Sequence, residues 1–219
     1  MSSAREKIYE PGVVNPGLPA PASTTSFWHS DPHPLANHQA PWPVVPVDVV
    51  VIGSGITAMS LARTLLRKSP NLAVVIIEAR SLCSGATGRN GGHCKTMTFA
   101  NWVDRKQCFG VREACRITEL EHAHLDAMAA AIHEDGVACD LVMTEGVDAY
   151  FDQASFDRAV RALKDMKAYL PQIAAKHKIY TDKEHIKKTL KLSESCVGAV
   201  TIPAASLWPY KWVTGVLGR

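Results

Sequence analysis

The residues of this sequence best suited to chemistry are two glycines that follow a run of branched aliphatic residues. Residues 49–58 read Val-Val-Val-Ile-Gly-Ser-Gly-Ile-Thr-Ala. The aliphatic run is typical of a buried parallel strand. Gly53 permits a tight turn, and Gly55 lets the backbone approach a ligand closely. Amides at the start of a following helix attract phosphate groups, so the segment predicts the pyrophosphate-binding turn of a dinucleotide site at Gly53, Ser54, Gly55, Ile56, Thr57 and Ala58.

The next residues place an acid at the position where such a unit binds ribose. A helix is predicted from about residue 57 to 67, and an aliphatic run at 73–77 ends at Glu78. An acid about 20 residues after the turn can accept hydrogen bonds from both ribose hydroxyls, which argues against a 2′-phosphate there. The alternative is an ordinary βαβ unit with a surface glutamate. The predicted packed side of the helix comprises Ala58, Leu61, Ala62, Leu65 and Leu66.

A loop rich in glycine follows this acid. Residues 84–92 read Ser-Gly-Ala-Thr-Gly-Arg-Asn-Gly-Gly. Such a composition is typical of a loop, either flexible at the surface or held closely against something. Because the loop directly follows the predicted ribose-binding acid, we favour a second contact with the cofactor.

Composition and charge exclude several classes of protein. Of 219 residues, 47% are hydrophobic and 21% are charged, which is ordinary for a globular protein. The net charge of +3 is too small to indicate binding to nucleic acid or to a membrane surface. No apolar run is long enough to span a bilayer, and the N-terminus lacks the pattern of a signal peptide.

The cysteines and histidines also bear on the class of protein. The six cysteines lack CxxC spacing and are expected to be free thiols, so we expect a cytoplasmic protein. His122 and His124 lie two residues apart, which puts them on different faces of a helix. No metal site is therefore expected.

Residues 1–46 are rich in proline and are predicted to form an extended arm rather than regular structure. Disorder is one interpretation. Phe27, Trp28 and Trp42 are large apolar side chains that would pack if they could, so we favour an arm lying over the rest of the protein.

Residues 101–219 alternate between helical and strand patterns. The predicted elements are a helix at 111–135 capped by Gly136, strands at 139–144 and 147–151 joined by a turn at Glu145–Gly146, a helix at 153–169 ended by Pro171, a strand at 199–202 and a helix at 209–217. The expected packed stripe of the long helix comprises Ala114, Ile117, Leu120, Leu125, Met128, Ala131 and Ile132. Eight lysines make residues 164–191 basic, and a solvated helical face is favoured over an anion-binding surface.

Taken with Ser26–His38 and Ser206–Lys211, the glycine turn, Glu78 and the 84–92 loop carry a family resemblance. The chain resembles the FAD-dependent oxidoreductases of the D-amino-acid oxidase superfamily. It is most similar to the branch of glycine, sarcosine and glutamylputrescine oxidases, and within that branch to fungal proteins. The resemblance runs from about Ser26 to Arg219.

The resemblance implies an α/β fold with a Rossmann-like βαβ FAD-binding unit followed by part of an α+β substrate domain. The expected divisions are a proline-rich arm at 1–46, the FAD-binding unit and loop at 47–100, and an incomplete helical and α+β segment at 101–219. FAD is the implied cofactor. The residues implied to contact it are Gly53, Ser54, Gly55, Ile56, Thr57, Ala58, Glu78, Arg80, Ser84, Gly85, Ala86, Thr87, Arg89, Asn90, Gly91 and Gly92.

The implied chemistry is hydride transfer to the flavin from a carbon that bears an amine, in a small amine or amino-acid-like substrate. No residue of the sequence identifies itself as a catalytic base. Members of the family continue well past the position of Arg219, so a truncated chain is expected. The alternative is therefore a relative without oxidase activity, retained for nucleotide binding or for a non-redox step. The unpaired edges of an incomplete sheet also predict self-association or a partner chain.

Overall fold

Two separate sheets organise the chain. The computed structural model describes residues 23–97 and 99–219. Their elements, in chain order, are β1 (Val49–Ile52), α1 (Ile56–Lys68), β2 (Val74–Ile77), β3 (His93–Lys95), α2 (Trp102–Asp135), β4 (Val142–Tyr150), α3 (Gln153–Lys167), α4 (Pro171–Ala174), β5 (Lys178–Tyr180), α5 (Lys183–Lys188), β6 (Gly198–Ser206) and α6 (Pro209–Leu217), with 3₁₀ turns at Phe27–His29 and Ala86–Gly88. The mixed α/β class is the one expected.

The first sheet is the predicted βαβ unit. Strands β1 and β2 pair in parallel, with Val49 opposite Val74 and Ile52 opposite Ile77, and α1 forms the crossover. One face of the pair is less covered than predicted, because Val50 is 52% exposed and Ile52 is 88% exposed. The β-branched run indicated cover on both faces, and the described residues supply it on one.

Helix α1 contacts the rest of the protein through smaller residues than predicted. Ala58, Met59 and Ala62 are buried, whereas Leu61 and Leu66 are exposed. The prediction for these two leucines was wrong because the packed stripe is narrow and is centred on the alanines. Small side chains there let the helix lie close to the strands.

Helix α2 is longer than predicted. It starts at Trp102 and passes through Gly110, whose φ of 77° interrupts the helical geometry. Of the predicted stripe, Ala114, Leu125 and Ile132 are buried, but Leu120 is exposed and was wrongly assigned to the core. Gly136 ends the helix as predicted, by donating its N–H to the carbonyls of Ile132 and His133.

The second sheet is antiparallel and centres on β6. Strand β4 pairs with β6 along its whole length, while β3 and β5 pair with the opposite edge of β6. Residues 198–206 form one strand, longer than the predicted 199–202. The sheet packs on α3 and α4 around an apolar core that comprises Phe99, Trp102, Phe156, Leu163, Met166, Val200 and Ile202.

The predicted pair of strands at 139–144 and 147–151 was wrong. Glu145 and Gly146 lie within the single strand β4, where they face Pro203 and Ile202 of β6. A Cβ atom at Gly146 would lie 3.0 Å from Cδ of Lys95, so the missing side chain makes room for that lysine rather than for a turn.

Of the remaining elements, α3 and α6 follow the predictions closely, whereas β3, α4, β5 and α5 were not predicted. Helix α3 starts after Asp152, whose carboxylate accepts from the Ser155 N–H, and ends at Lys167 rather than Tyr169. Pro171 begins α4, and α6 has the predicted bounds. The lysines of the basic stretch are exposed, as a solvated face requires: Lys164, Lys167, Lys176, Lys178, Lys183, Lys187, Lys188 and Lys191. None of the helices in the described part of the chain combines the length and apolar character of a membrane span.

Candidate cofactor site

The glycine turn lies between the end of β1 and the start of α1. Gly53 has a φ of 92°, which favours glycine, and its N–H donates to the Ile77 carbonyl at 2.7 Å. Gly55 is the N-cap residue of α1 and carries no side chain to occupy the space in front of the helix. Because the first amides of a helix have no partner within it, this end of α1 can bind an anion.

Glu78 is held against this turn. Its Oε2 accepts from the Ser54 N–H at 3.1 Å and from Ser54 Oγ at 2.6 Å, and its Oε1 accepts from the Arg80 N–H at 3.0 Å. Burial opposes ionisation, but these hydrogen bonds outweigh it and hold the Glu78 pKa below its usual value. The carboxylate is therefore a fixed anion at the end of β2, and its remaining lone pairs can accept from ribose hydroxyls.

Ser54 and Thr87 join the turn to the glycine-rich loop. Ser54 Oγ accepts from the Cys83 N–H at 2.8 Å, and Thr87 Oγ1 accepts from the Ile56 N–H at 3.0 Å. A Cβ atom on Gly55 would lie 3.1 Å from Thr87 Oγ1, so a side chain there would crowd the loop. The structure therefore brings the predicted turn, acid and loop into direct contact.

The polar side chains of Arg89 and Asn90 in the loop form hydrogen bonds with other residues of the chain. Asn90 Nδ2 donates to the Thr87 carbonyl at 2.7 Å, and Asn90 Oδ1 accepts from the Gly92 N–H at 2.7 Å. The Arg89 guanidinium donates to the carbonyls of Ser84, at 3.1 Å, and Thr24, at 2.7 Å. These contacts shape the loop, and the predicted contacts of Arg89 and Asn90 with the cofactor stay predictions.

The other residues that were predicted to contact the cofactor differ in their exposure. Ser84 is buried, and its Oγ has no hydrogen-bond partner within the described residues. Such an orphan hydroxyl fits a site that a polar ligand completes. Arg80 is exposed, with its guanidinium near Gly85, and Thr57, Ala86 and Gly91 are also exposed.

The donor set fits the nucleotide part of FAD. It combines a helix start for the pyrophosphate, a glycine that leaves space before it, a fixed carboxylate for the ribose, and an unsatisfied hydroxyl in the adjoining loop. The positions of the turn and the acid follow from the βαβ geometry, since β1 and β2 end side by side.

Two cavities lie elsewhere. One of about 220 Å³ lies between β3 and α2 and is lined by Cys94, Lys95, Thr96, Met97, Glu121, His124 and Leu125. Its charged groups are paired, Lys95 with Asp148 and Glu121 with Arg105. The other, of about 520 Å³, lies between α1, β2, α6 and the end of α2. Neither is lined by the glycine turn or by Glu78.

Sequence reasoning missed the residues that contact the loop from the arm. Trp28 donates from Nε1 to the Asn90 carbonyl, and His29 Nε2 lies 3.2 Å from the Cys83 carbonyl. Trp42, by contrast, is 74% exposed, so the expectation that it would pack was wrong. Aromatic residues in a proline-rich segment were the signal, but nothing in the sequence specified the surface that they cover. Residues 1–22 of the predicted arm lie outside the described residues.

Residues 48–219 match the family described as DAO, FAD dependent oxidoreductase. The chain belongs to this family. FAD is the cofactor of the DAO family, which agrees with the donor set of the site. No curated protein sequence matched the chain.

Solved structures show the same fold at low sequence identity. L-Amino acid deaminase from Proteus myxofaciens has a TM-score of 0.61 at 17% identity, over 83% of this chain and 38% of that one. Glycine oxidase from Bacillus cereus has a TM-score of 0.53 at 17% identity, over 79% and 43%. L-α-Glycerophosphate oxidase from Mycoplasma pneumoniae, solved with FAD bound, has a TM-score of 0.53 at 13% identity, over 78% and 41%. The DAO chain described here thus spans less than half the length of these proteins.

Proposed function

We propose that this chain binds FAD and serves as an FAD-dependent oxidoreductase acting on a small amine or amino-acid-like substrate. The observation that carries the proposal is the Glu78 carboxylate fixed by Ser54 beside the start of α1, directly under the 84–92 loop. When bound, the flavin would take up a hydride from the substrate carbon that bears the nitrogen.

In this proposal the chain's own residues bind and orient the cofactor. The amides of Gly55, Thr57 and Ala58 receive the pyrophosphate, while the Ile56 N–H holds Thr87 of the loop, and Glu78 accepts from the adenosine ribose. Ser84 and the loop that follows direct the cofactor towards β3. Arg80, at the start of the segment after Glu78, lies on the adenine side.

The test is the absorbance spectrum of the purified chain, followed by FAD titration and an assay with amines. We expect a bound-flavin spectrum and substrate-dependent bleaching under anaerobic conditions. Gly55→Asp should abolish FAD binding, because the new carboxylate fills the space for the pyrophosphate and repels it. Thr64→Asp adds the same charge further along α1, on its exposed side, and should bind FAD normally. Equal FAD binding by Gly55→Asp would refute the assignment of the turn.

A second candidate function is nucleotide binding without oxidase chemistry. It is favoured by the distribution of the groups in the site. The groups that fit a ligand belong to the nucleotide end, and among residues 23–97 and 99–219 no side chain stands out as a catalytic base. A chain that binds FAD but leaves it oxidised with every amine tested would support this candidate.

Two further features belong to the proposal. All six cysteines lie in the described residues and are free, which supports a reducing compartment such as the cytoplasm. The exposed side chains of Val50 and Ile52 support self-association, for which light scattering after size exclusion is the test.

A further inference from the structure

A segment that precedes the family match makes extensive contacts with the cofactor loop. The match to the DAO family begins at residue 48. Residues 26–38, here called the arm segment, lie before it and contain the 3₁₀ turn Phe27–His29. They lie between residues 81–92, here called the loop region, and α6. The loop region belongs to the proposed site, and α6 lies outside it.

On one side, the arm segment bonds to the backbone of the loop region. Trp28 Nε1 donates to the Asn90 carbonyl, and His29 Nε2 lies within hydrogen-bond distance of the Cys83 carbonyl, at 3.2 Å. The Leu82 N–H donates to the Ala36 carbonyl at 2.7 Å. The loop region is therefore tied to the arm segment near its start, at Leu82 and Cys83, and near its end, at Asn90.

On the other side, the arm segment is anchored to α6 and to Trp208, the residue before it. Trp208 Nε1 donates to the Trp28 carbonyl at 2.9 Å, and the two indole rings lie 5.4 Å apart. The Tyr210 ring lies 4.9 Å from the His29 ring, and its hydroxyl accepts from the His33 N–H at 3.1 Å. Because α6 is mostly buried, it provides a firm support.

Two glycines of the loop make room for the arm segment. A Cβ atom on Gly88 would lie 2.3 Å from His29 Nε2, and one on Gly92 would lie 2.7 Å from Cζ2 of Trp28. Both distances are far below van der Waals contact. Glycines of the loop that the sequence predicts to contact the cofactor thus serve the close approach of Trp28 and His29.

We propose that the arm segment is a clamp that orders the 84–92 loop before FAD binds, with Trp28 and His29 as positioning residues for the cofactor. This inference rests on the proposed function, because it takes the loop to be an FAD contact. The clamp acts through the Asn90 carbonyl, to which Trp28 donates, and through Gly88, against which His29 lies. Both act on Thr87, which directly precedes Gly88, accepts from Asn90 Nδ2 at its carbonyl and accepts from the Ile56 N–H at the start of α1. A loop that is already ordered binds its ligand without the entropic cost of ordering.

The first measurement is hydrogen exchange of the full chain without FAD. Trp28→Ala should speed exchange of the amides of Gly88, Arg89 and Gly92 about tenfold, because their protecting bonds lie within the clamped loop. Amides of β4 and β6 should keep their rates, which shows that the fold persists. Trp42→Ala is the matched control, since Trp42 is exposed and lies in the same proline-rich region. Trp28→Phe keeps a ring but loses the N–H donor, so its exchange rates should lie between those of the parent chain and of Trp28→Ala.

The second measurement is titration with FAD. If the loop is ordered one-tenth of the time in Trp28→Ala, the Kd rises about tenfold, with a smaller rise for Trp28→Phe and none for Trp42→Ala. Unchanged loop exchange in Trp28→Ala would overturn the clamp. Faster exchange with an unchanged Kd would overturn the role in cofactor positioning. A wild-type chain that binds no FAD would refute the proposed function instead, and the exchange data would still decide whether the clamp exists.

Discussion

The two sheets of this chain differ in how completely they are covered. Strand β6 of the antiparallel sheet is buried along nearly its whole length, and Ile202 is 1% exposed. Strand β1 of the parallel pair leaves Ile52 88% exposed. The comparison shows that an isoleucine within a strand can be core in one sheet and surface in another. What differs is the surroundings: β6 has strands on both edges and α3 and α4 packed on its sheet, while β1 has β2 as its partner in the described residues and α1 on one side.

The largest expected effect compares the same substitution in both sheets. Ile202→Asp should lower the free energy of unfolding by more than about 4 kcal/mol, because it buries an unpaired charge. Ile52→Asp should change it by less than about 0.5 kcal/mol. Urea unfolding of both variants is the measurement. A large loss in Ile52→Asp would mean that this face is covered in solution, as self-association predicts, and light scattering would then show a larger species for the parent chain.

The next effect tests the chemistry of the parallel pair. Glu78→Ala should weaken FAD binding about ten- to a hundredfold, since a hydrogen bond to a charged group contributes roughly 1.5–3 kcal/mol. Fluorescence titration with FAD measures the change. Glu119→Ala removes an exposed carboxylate from α2 and serves as the control. An unchanged Kd in Glu78→Ala would place the ribose elsewhere.

A smaller effect distinguishes the two regions by pH. Burial, with His177 and Lys176 nearby, lowers the pKa of His122 to about 4. Between this value and the unfolded pKa near 6.5, the unfolded chain binds the proton and the folded chain does not, so stability falls as the pH is lowered. We expect His122 to contribute a loss of about 2 kcal/mol between pH 7 and pH 5, so the slope should be shallower in His122→Gln. Burial also lowers the pKa of His177, which keeps its own share of the slope.

The same pH range leaves the parallel pair unaffected. The Glu78 pKa is lowered, so its contribution is complete above the usual carboxyl pKa and is lost only in more acidic solution. Parallel pH series of wild type and His122→Gln, unfolded with urea, provide the measurement. Identical slopes in the two chains would show that His122 titrates normally.

The smallest expected effect lies on the surface of the antiparallel sheet. Lys178 of β5 pairs with Glu145 of β4 at 2.7 Å, and both side chains are well exposed. Exposed ion pairs contribute little, so Lys178→Ala should cost no more than about 0.5 kcal/mol, and less at high salt. A loss above about 1 kcal/mol would show that this pair supports the edge strands more than its exposure indicates.

The sequence predicts the parallel unit better than it predicts the antiparallel sheet. Strand β1, helix α1, strand β2 and Glu78 are local in sequence, and each position has a strict chemical reason. Strand β4 was missed because Glu145–Gly146 has the composition of a turn. Its place in the ladder depends on β6, which lies more than fifty residues further along the chain.

The candidate site divides in the same way. The approach of Glu78 to Ser54 follows from the motif, because parallel strands of one unit end side by side. The hydrogen bond from Arg89 to the Thr24 carbonyl and the one from Trp28 to the Asn90 carbonyl do not follow from the motif. Both depend on where residues 23–38 cross the loop. Likewise, the exposure of Leu61, Leu66 and Leu120 depends on the width of the packed stripe, which periodicity alone does not fix.

The arm segment is joined to β1 by a short exposed linker, so its docking on the loop is an intramolecular binding equilibrium. Residues 39–46 are exposed, and five of them are proline or a valine next to proline, which stiffens the connection. A short tether gives an effective concentration on the order of 1 mM. An arm segment that would bind as a free peptide with a Kd of only about 0.1 mM would then be docked roughly nine-tenths of the time. Cleavage within this tether would turn an intramolecular contact into a dilute bimolecular one, and weak contacts that suffice in the intact chain would be lost.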